Sequence, residues 1–163
     1  KDLQMNYHYT GGFEATPEAQ SLATAWYADG IEVIFACGGA VGNSVMAAAE
    51  AADAKVIGVD VDQSAQSKTV ITSATKGLAP SVIQTLTEYY DGKFPGGEAL
   101  VMDAASDGVS LPMATSQFKT FTQADYDTIF AKLVAHEITL LKDVDITGVS
   151  EIPVTTMTVT EVK

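Results

Sequence analysis

The chain has 163 residues, 47% of them hydrophobic and 18% charged, which suits one core-bearing domain and excludes a disordered segment or a membrane-spanning chain. A formal net charge of −12, from 21 acidic and 9 basic residues with no basic cluster, repels phosphate backbones and argues against nucleic acid as a partner. The single cysteine, Cys37, leaves no internal disulfide and reads as a small buried hydrophobe.

A start at Lys1-Asp2 in place of Met is expected of a piece of something longer. Leu3, Met5, Tyr7 and Tyr9 then alternate with Gln4, Asn6 and His8, the period of a strand with one wetter face, at an edge or on a hinge side. Thr16-Pro17 offers a helix N-cap followed by proline at the first helical position. Leu22, Ala23 and Trp26 supply the apolar stripe of that helix, and Asp29-Gly30 closes it.

Val33 to Ala36 reads as a buried strand, followed by the glycine-rich turn Cys37 to Asn43 and an Ala-rich helix from about Ser44 to Ala52. The next strand, Val56-Ile57-Gly58-Val59-Asp60, is a run of apolar residues ended by a carboxylate. Such a run is expected to be buried on both faces, with its last residue emerging at the carboxyl edge of the sheet, where open α/β folds hold ligands. Asp60 either caps a turn, the usual work of a loop aspartate, or uses its two acceptor oxygens on a vicinal diol such as a ribose.

A short polar loop, Ser64 to Lys68, precedes the strand Thr69 to Thr72, and Lys76 falls just after it at the same edge. Pro80 is expected to start a helix in which Val82, Ile83, Leu86, Tyr89 and Tyr90 repeat at helical spacing. Ala99 to Met102 reads as a further strand. Thr122 with Asp125 resembles a capping box, and Tyr126, Ile129, Phe130 and Leu133 line one face of the helix it opens. The end of the chain, rich in Thr, Val and Asp, reads as loop plus a final strand.

Alternating strands and helices imply a three-layer, Rossmann-like α/β fold, a parallel sheet with helices on both faces. Gly38-Gly39-Ala40-Val41-Gly42 matches neither a Walker A loop nor G-x-G-x-x-G, so it is a weak phosphate motif, although its glycines permit backbone approach by a ligand. Asp60 on the following strand still allows a Rossmann-type enzyme with a nucleotide cofactor as an alternative. Phe13, after two glycines, either stacks on a planar ligand or staples the helix behind it. Two histidines, His8 and His136, stand apart from any nucleophile and read as solvated surface groups, and Asp60 with Asp62 makes no transition-metal site. No catalytic set, metal or cofactor is expected.

Several of these segments occur together, in this order, in one family. They are Phe35-Ala36-Cys37-Gly38-Gly39, Val56 to Gln63, Val70-Ile71-Thr72-Ser73 with Lys76, Gly92-Lys93-Phe94-Pro95-Gly96-Gly97, and Asp107-Gly108-Val109. From about Gly12 to Leu111 the chain resembles the basic membrane protein family of ABC-transporter substrate-binding lipoproteins, which includes purine nucleoside receptors. Gly-Val-Asp-x-Asp-Gln is the most specific element of the match, and the loop from Gln63 to Thr69 is shorter than usual there.

The resemblance implies one lobe of a type I periplasmic binding protein, here residues 1–163, with the lobe core at about 1–112 and a helix and returning segment at about 113–163, the partner lobe absent. It implies a nucleoside held between two lobes, with Phe13 stacking on the base, Gly38 and Gly39 approaching through their backbone, Asp60 on the ribose hydroxyls and Lys76 on the sugar. It further implies an ABC permease as partner, an extracytoplasmic location through a lipid anchor outside this chain, and recognition without chemistry. A sensory ligand-binding domain of the same fold is the remaining alternative.

Overall fold

In the computed structural model the described residues are 3–142, 144–154 and 156–163. They form β1 (Leu3–Tyr7), α1 (Pro17–Ala28), β2 (Val33–Phe35), α2 (Val41–Ala52), β3 (Lys55–Asp60), β4 (Val70–Lys76), α3 (Leu78–Tyr90), β5 (Val109–Ser110), α4 (Gln123–Val134) and β6 (Met157–Glu161). Short 3-10 helices lie at Ala104–Ser106 and Val149–Glu151. The chain divides into two compact units, Gly12–Glu137 and a smaller one made from the two chain ends.

The larger unit is built on a four-stranded sheet of order β2-β3-β4-β5. Its first three strands are parallel, and β5 adds antiparallel to the end of β4, with Lys76 opposite Val109. The crossover from β2 to β3 is helical: α2 packs on β3 and on α1. Ala23, Tyr27, Ile34, Val45, Met46, Ala48, Ala49, Val56 and Val70 form the core between these helices and the sheet. The Ala-rich face of α2 lets α1 and β3 approach closely, because alanine buries apolar area without occupying much depth.

Local signals explain α1. The Thr16 hydroxyl accepts from the Ala19 amide at 3.1 Å, and Pro17 needs no amide partner at the first helical position. The Thr16 backbone is tied in turn to Ser44 Oγ on α2 through both its amide and its carbonyl. At the other end Tyr27 is buried, its phenol donates to the Lys55 carbonyl at 2.9 Å, and burial pushes its pKa up to about 12.

Several expectations are corrected. The α2 helix starts at Val41, not near Ser44, because the turn closes tightly over Gly38–Ala40 and Gly42 then faces Met46 and Ala36. The β2 strand is an edge strand: Ile34 and Ala36 point into the core, whereas Phe35 and Cys37 alternate to the uncovered face and are exposed. Cys37 is therefore not buried. Lys76 lies within β4, as its last residue. The α3 helix begins at Leu78, with Pro80 in its first turn.

No strand forms at Ala99–Met102, since the neighbouring edge of β4 is taken by β5. With no strand there to pack on, the stripe Val82, Ile83, Leu86, Tyr89 and Tyr90 stays 51 to 82% exposed. The capping box at Thr122 and Asp125 is present at the start of α4.

In the smaller unit β1 and β6 pair in parallel, Leu3 opposite Met157 and Tyr7 opposite Glu161. The strand stops at Tyr7, short of Tyr9. His8 is half-buried rather than solvated, with Nδ1 2.7 Å from the Val162 carbonyl, so that nitrogen carries the proton.

Candidate ligand-binding site

The site begins with the way β3 ends. Asp60 has a φ of +69°, and across it the Val61 amide donates to the Val59 carbonyl at 2.8 Å. This turn swings the carboxylate off the line of the strand. Asp60 Oδ1 meets Lys76 Nζ at 2.6 Å, with the two side chains 40% and 66% exposed. The adjacent strands bring the pair together: Asp60 stands opposite Thr75, so the next residue of β4 reaches across the carboxyl edge.

The Asp60 carboxylate, by hydrogen bond and by charge, holds the Lys76 ammonium above the usual lysine range, with a smaller contribution from Cys37. The pair is exposed, so its attraction adds little to folding. Its value is chemical, since a fixed acceptor and a fixed donor stand side by side.

Next to the pair opens a cleft of about 640 Å³, within the range of small-molecule sites. It is lined by Asp60, Thr75 and Lys76 at the strand ends, by Leu78 to Pro80 at the start of α3, and by Tyr126 and Phe130 of α4. The two rings lie 5.4 Å apart and tilted by 32°. The Leu111 amide points at the Tyr126 phenol oxygen, 3.4 Å away.

Gly77 lets this wall close. Its amide donates to the Gly108 carbonyl at 2.9 Å, and a Cβ at Gly77 would fall 2.0 Å from the Asp107 carbonyl oxygen. The Thr75 hydroxyl contacts both the Ser110 carbonyl and Ser110 Oγ, at 2.8 and 2.7 Å, fastening β5 to the end of β4.

Phe13, Gly38 and Gly39 form a second cluster. Phe13 is 75% exposed. Its carbonyl accepts from the Val41 amide at 3.1 Å, and its Cβ and ring would be 3.6 and 3.7 Å from a Cβ placed on Gly39, so the aromatic lies along the glycine backbone. Three residues ahead of the Thr16 cap and largely bare, Phe13 makes no staple for α1. The Ala36 amide donates to the Ile57 carbonyl, so Cys37 and the glycines follow on beside the end of β3. The cleft lining does not include Phe13, Gly38 or Gly39.

Asp62 is a brace. Its Oδ2 accepts from the Thr115 hydroxyl at 2.7 Å and its Oδ1 from the Ser64 amide at 3.0 Å, which hold its carboxyl below the usual range. No cluster of His, Cys, Asp and Glu that could hold a metal occurs among the described residues. Sequence reasoning missed Tyr126 and Phe130 as cleft residues, because their spacing on α4 reads equally as a core stripe. Nor did it foresee the fold-back of Gln63, whose Oε1 accepts from the Val59 amide at 2.9 Å; its position in Gly-Val-Asp-x-Asp-Gln was the only signal.

Comparison with known proteins agrees with this architecture. Residues 1–142 match the family model described as ABC transporter substrate-binding protein PnrA-like. The chain is 30% identical over 153 residues to the ABC transporter nucleoside-binding protein BmpA of Lactococcus lactis subsp. cremoris, covering 81% of this chain and 44% of that protein. It is 36% identical over 115 residues to basic membrane protein D of Borreliella burgdorferi, covering 68% and 33%.

Among solved structures, an ABC transporter system solute-binding protein from Conexibacter woesei superposes with a TM-score of 0.62 at 26% identity, covering 82% of this chain and 45% of that one. The chain thus spans less than half the length of these relatives. With the family model matched over most of its length and an α/β architecture shared with solute-binding proteins, the chain belongs to the PnrA-like family of ABC transporter substrate-binding proteins.

Proposed function

We propose that this chain supplies one lobe of an extracytoplasmic receptor that captures a nucleoside and hands it to an ABC permease. The observation that carries the reading is the Asp60–Lys76 pair at the carboxyl edge of β3 and β4, in a chain whose relative is named for nucleoside binding. The carboxylate accepts hydrogen bonds from the 2′ and 3′ hydroxyls of the ribose, and the ammonium donates to a sugar or base oxygen. The exposed Phe13 ring, lying along Gly39, stacks on the base, while Gly38 and Gly39 admit the ligand close to the main chain.

Binding involves no bond making. A second lobe closes over this edge, excludes water from the hydrogen bonds and presents the closed form to the permease. A lipid anchor outside this chain holds the receptor at the membrane, and no described helix is long and apolar enough to cross it. One lobe leaves a ligand largely solvated, so this chain by itself binds weakly.

Calorimetric titration of a two-lobed form with adenosine, guanosine, inosine, uridine and NAD tests the reading. Nucleoside binding that disappears in Asp60→Ala is expected. Binding of NAD without any nucleoside contradicts it and favours a cofactor enzyme.

A further inference from the structure

The positive φ of Asp60, with the Val61 amide bonded to the Val59 carbonyl, makes a γ-turn of the strained, uncommon form. Such a conformation persists only where its surroundings over-determine it. The ion pair to Lys76 is too exposed to do so. The constraint comes instead from Gln63.

Its side chain folds back along the strand so that Oε1 accepts from the Val59 amide at 2.9 Å, while the backbone amide of Gln63 donates to Ser73 Oγ on β4 at 3.1 Å. The other end of the carboxamide, Nε2, donates to Gln66 Oε1 at 3.3 Å. Gly58 makes the fold-back possible. A Cβ there would lie 2.6 Å from Gln63 Oε1 and 2.7 Å from Ser73 Oγ, and Ser73 is fully buried. The side chain therefore occupies a slot that only glycine leaves open.

We propose that Gln63 is a positioning residue whose carboxamide clamps the Val59–Val61 turn and so holds the Asp60 carboxylate against Lys76 at the mouth of the cleft. Its importance to binding rests on the reading of Asp60 and Lys76 as ligand groups, but the clamp is tested without a ligand. In Gln63→Met the side chain keeps its length and loses its acceptor.

Two changes are expected by NMR. The Val59 amide exchanges about tenfold faster with solvent deuterium, the equivalent of one lost hydrogen bond. The Lys76 ammonium titrates lower, where Asp60→Ala also puts it. Gln63→Glu, which restores an acceptor at the same reach, returns protection to the Val59 amide.

Lys76 titrating in Gln63→Met as in the unmutated chain overturns the proposal. Should Gln63→Met fail to fold, the unmutated chain decides: a protected Val59 amide supports the clamp, and one exchanging like a free loop amide refutes it. Failure of the ligand reading looks different, since Asp60→Ala would then leave inosine binding intact while Lys76 still shifted in Gln63→Met.

Discussion

The two parallel crossovers of the sheet are built on opposite terms. Between β2 and β3 the chain runs through α2, which buries Val45, Met46, Ala48 and Ala49 and anchors the core. Between β3 and β4 it returns over residues 61–69 without a helix. That segment is held by polar contacts: Gln63 on Val59 and Ser73, Asp62 on Ser64 and Thr115, and Ser67 on Glu50 and Thr69.

Apolar burial is non-directional and yields stability, whereas hydrogen bonds are directional and yield little net stability but fixed geometry. The candidate site stands where the second crossover begins, at Asp60, the last residue of β3. Placement of a carboxylate needs direction more than it needs free energy.

The sharpest way to break this contrast is in the first crossover. Met46→Ala is expected to destabilise the chain by about 2–5 kcal/mol in urea or thermal unfolding, while Lys76 keeps its raised pKa in the molecules that remain folded. Gly58→Ala comes next. It should cost about 1–3 kcal/mol through overpacking, and less when combined with Gln63→Ala, because the clashing Oε1 is then gone. Non-additivity in that double-mutant cycle is the readout.

Thr16→Ala removes the cap of α1 and is expected to cost about 1 kcal/mol, with no effect on the turn at Asp60. The smallest effect is a pH dependence in the second crossover. Asp62 is held below the usual carboxylate range by Thr115 and Ser64, so its contribution is present above its unfolded value near 3.8 and is lost as pH falls through the lower folded value. Thr115→Val should reduce this acid sensitivity, as measured by urea unfolding at neutral pH and below 3.8.

The same contrast decides what could be read from sequence. Caps and periodicity are local, so α1, α4 and the run ending at Asp60 were legible from Thr16-Pro17, Thr122 with Asp125, and the apolar residues before the carboxylate. The start of α2 was not, because Gly42 and Asn43 are poor helix formers, and what favours helix there is non-local: Gly42 is buried, with Ala36 of the preceding segment close beside it.

Nor were the exposed Phe35 and Cys37, since alternation reveals two faces but not which face has a neighbour. Ala99–Met102 has the composition of a strand, yet pairing depends on a free edge, which residue preference does not encode. In the site, the side-by-side placement of Asp60 and Lys76 follows from two strand tips at one edge. The fold-back of Gln63 does not, because it depends on a slot between Gly58 and Ser73 on separate strands.

The central claim is that a nucleoside is recognised at the carboxyl edge by Asp60 and Lys76. Its most direct test is a titration of inosine into the isotope-labelled chain, followed at the Lys76 ammonium and the Asp60 carboxylate by NMR, which registers even weak binding. Progressive, saturable shifts at those two groups, absent when Asp60 is replaced by alanine, are the predicted result. Saturable shifts elsewhere on the molecule, with Asp60 and Lys76 unmoved, would contradict it.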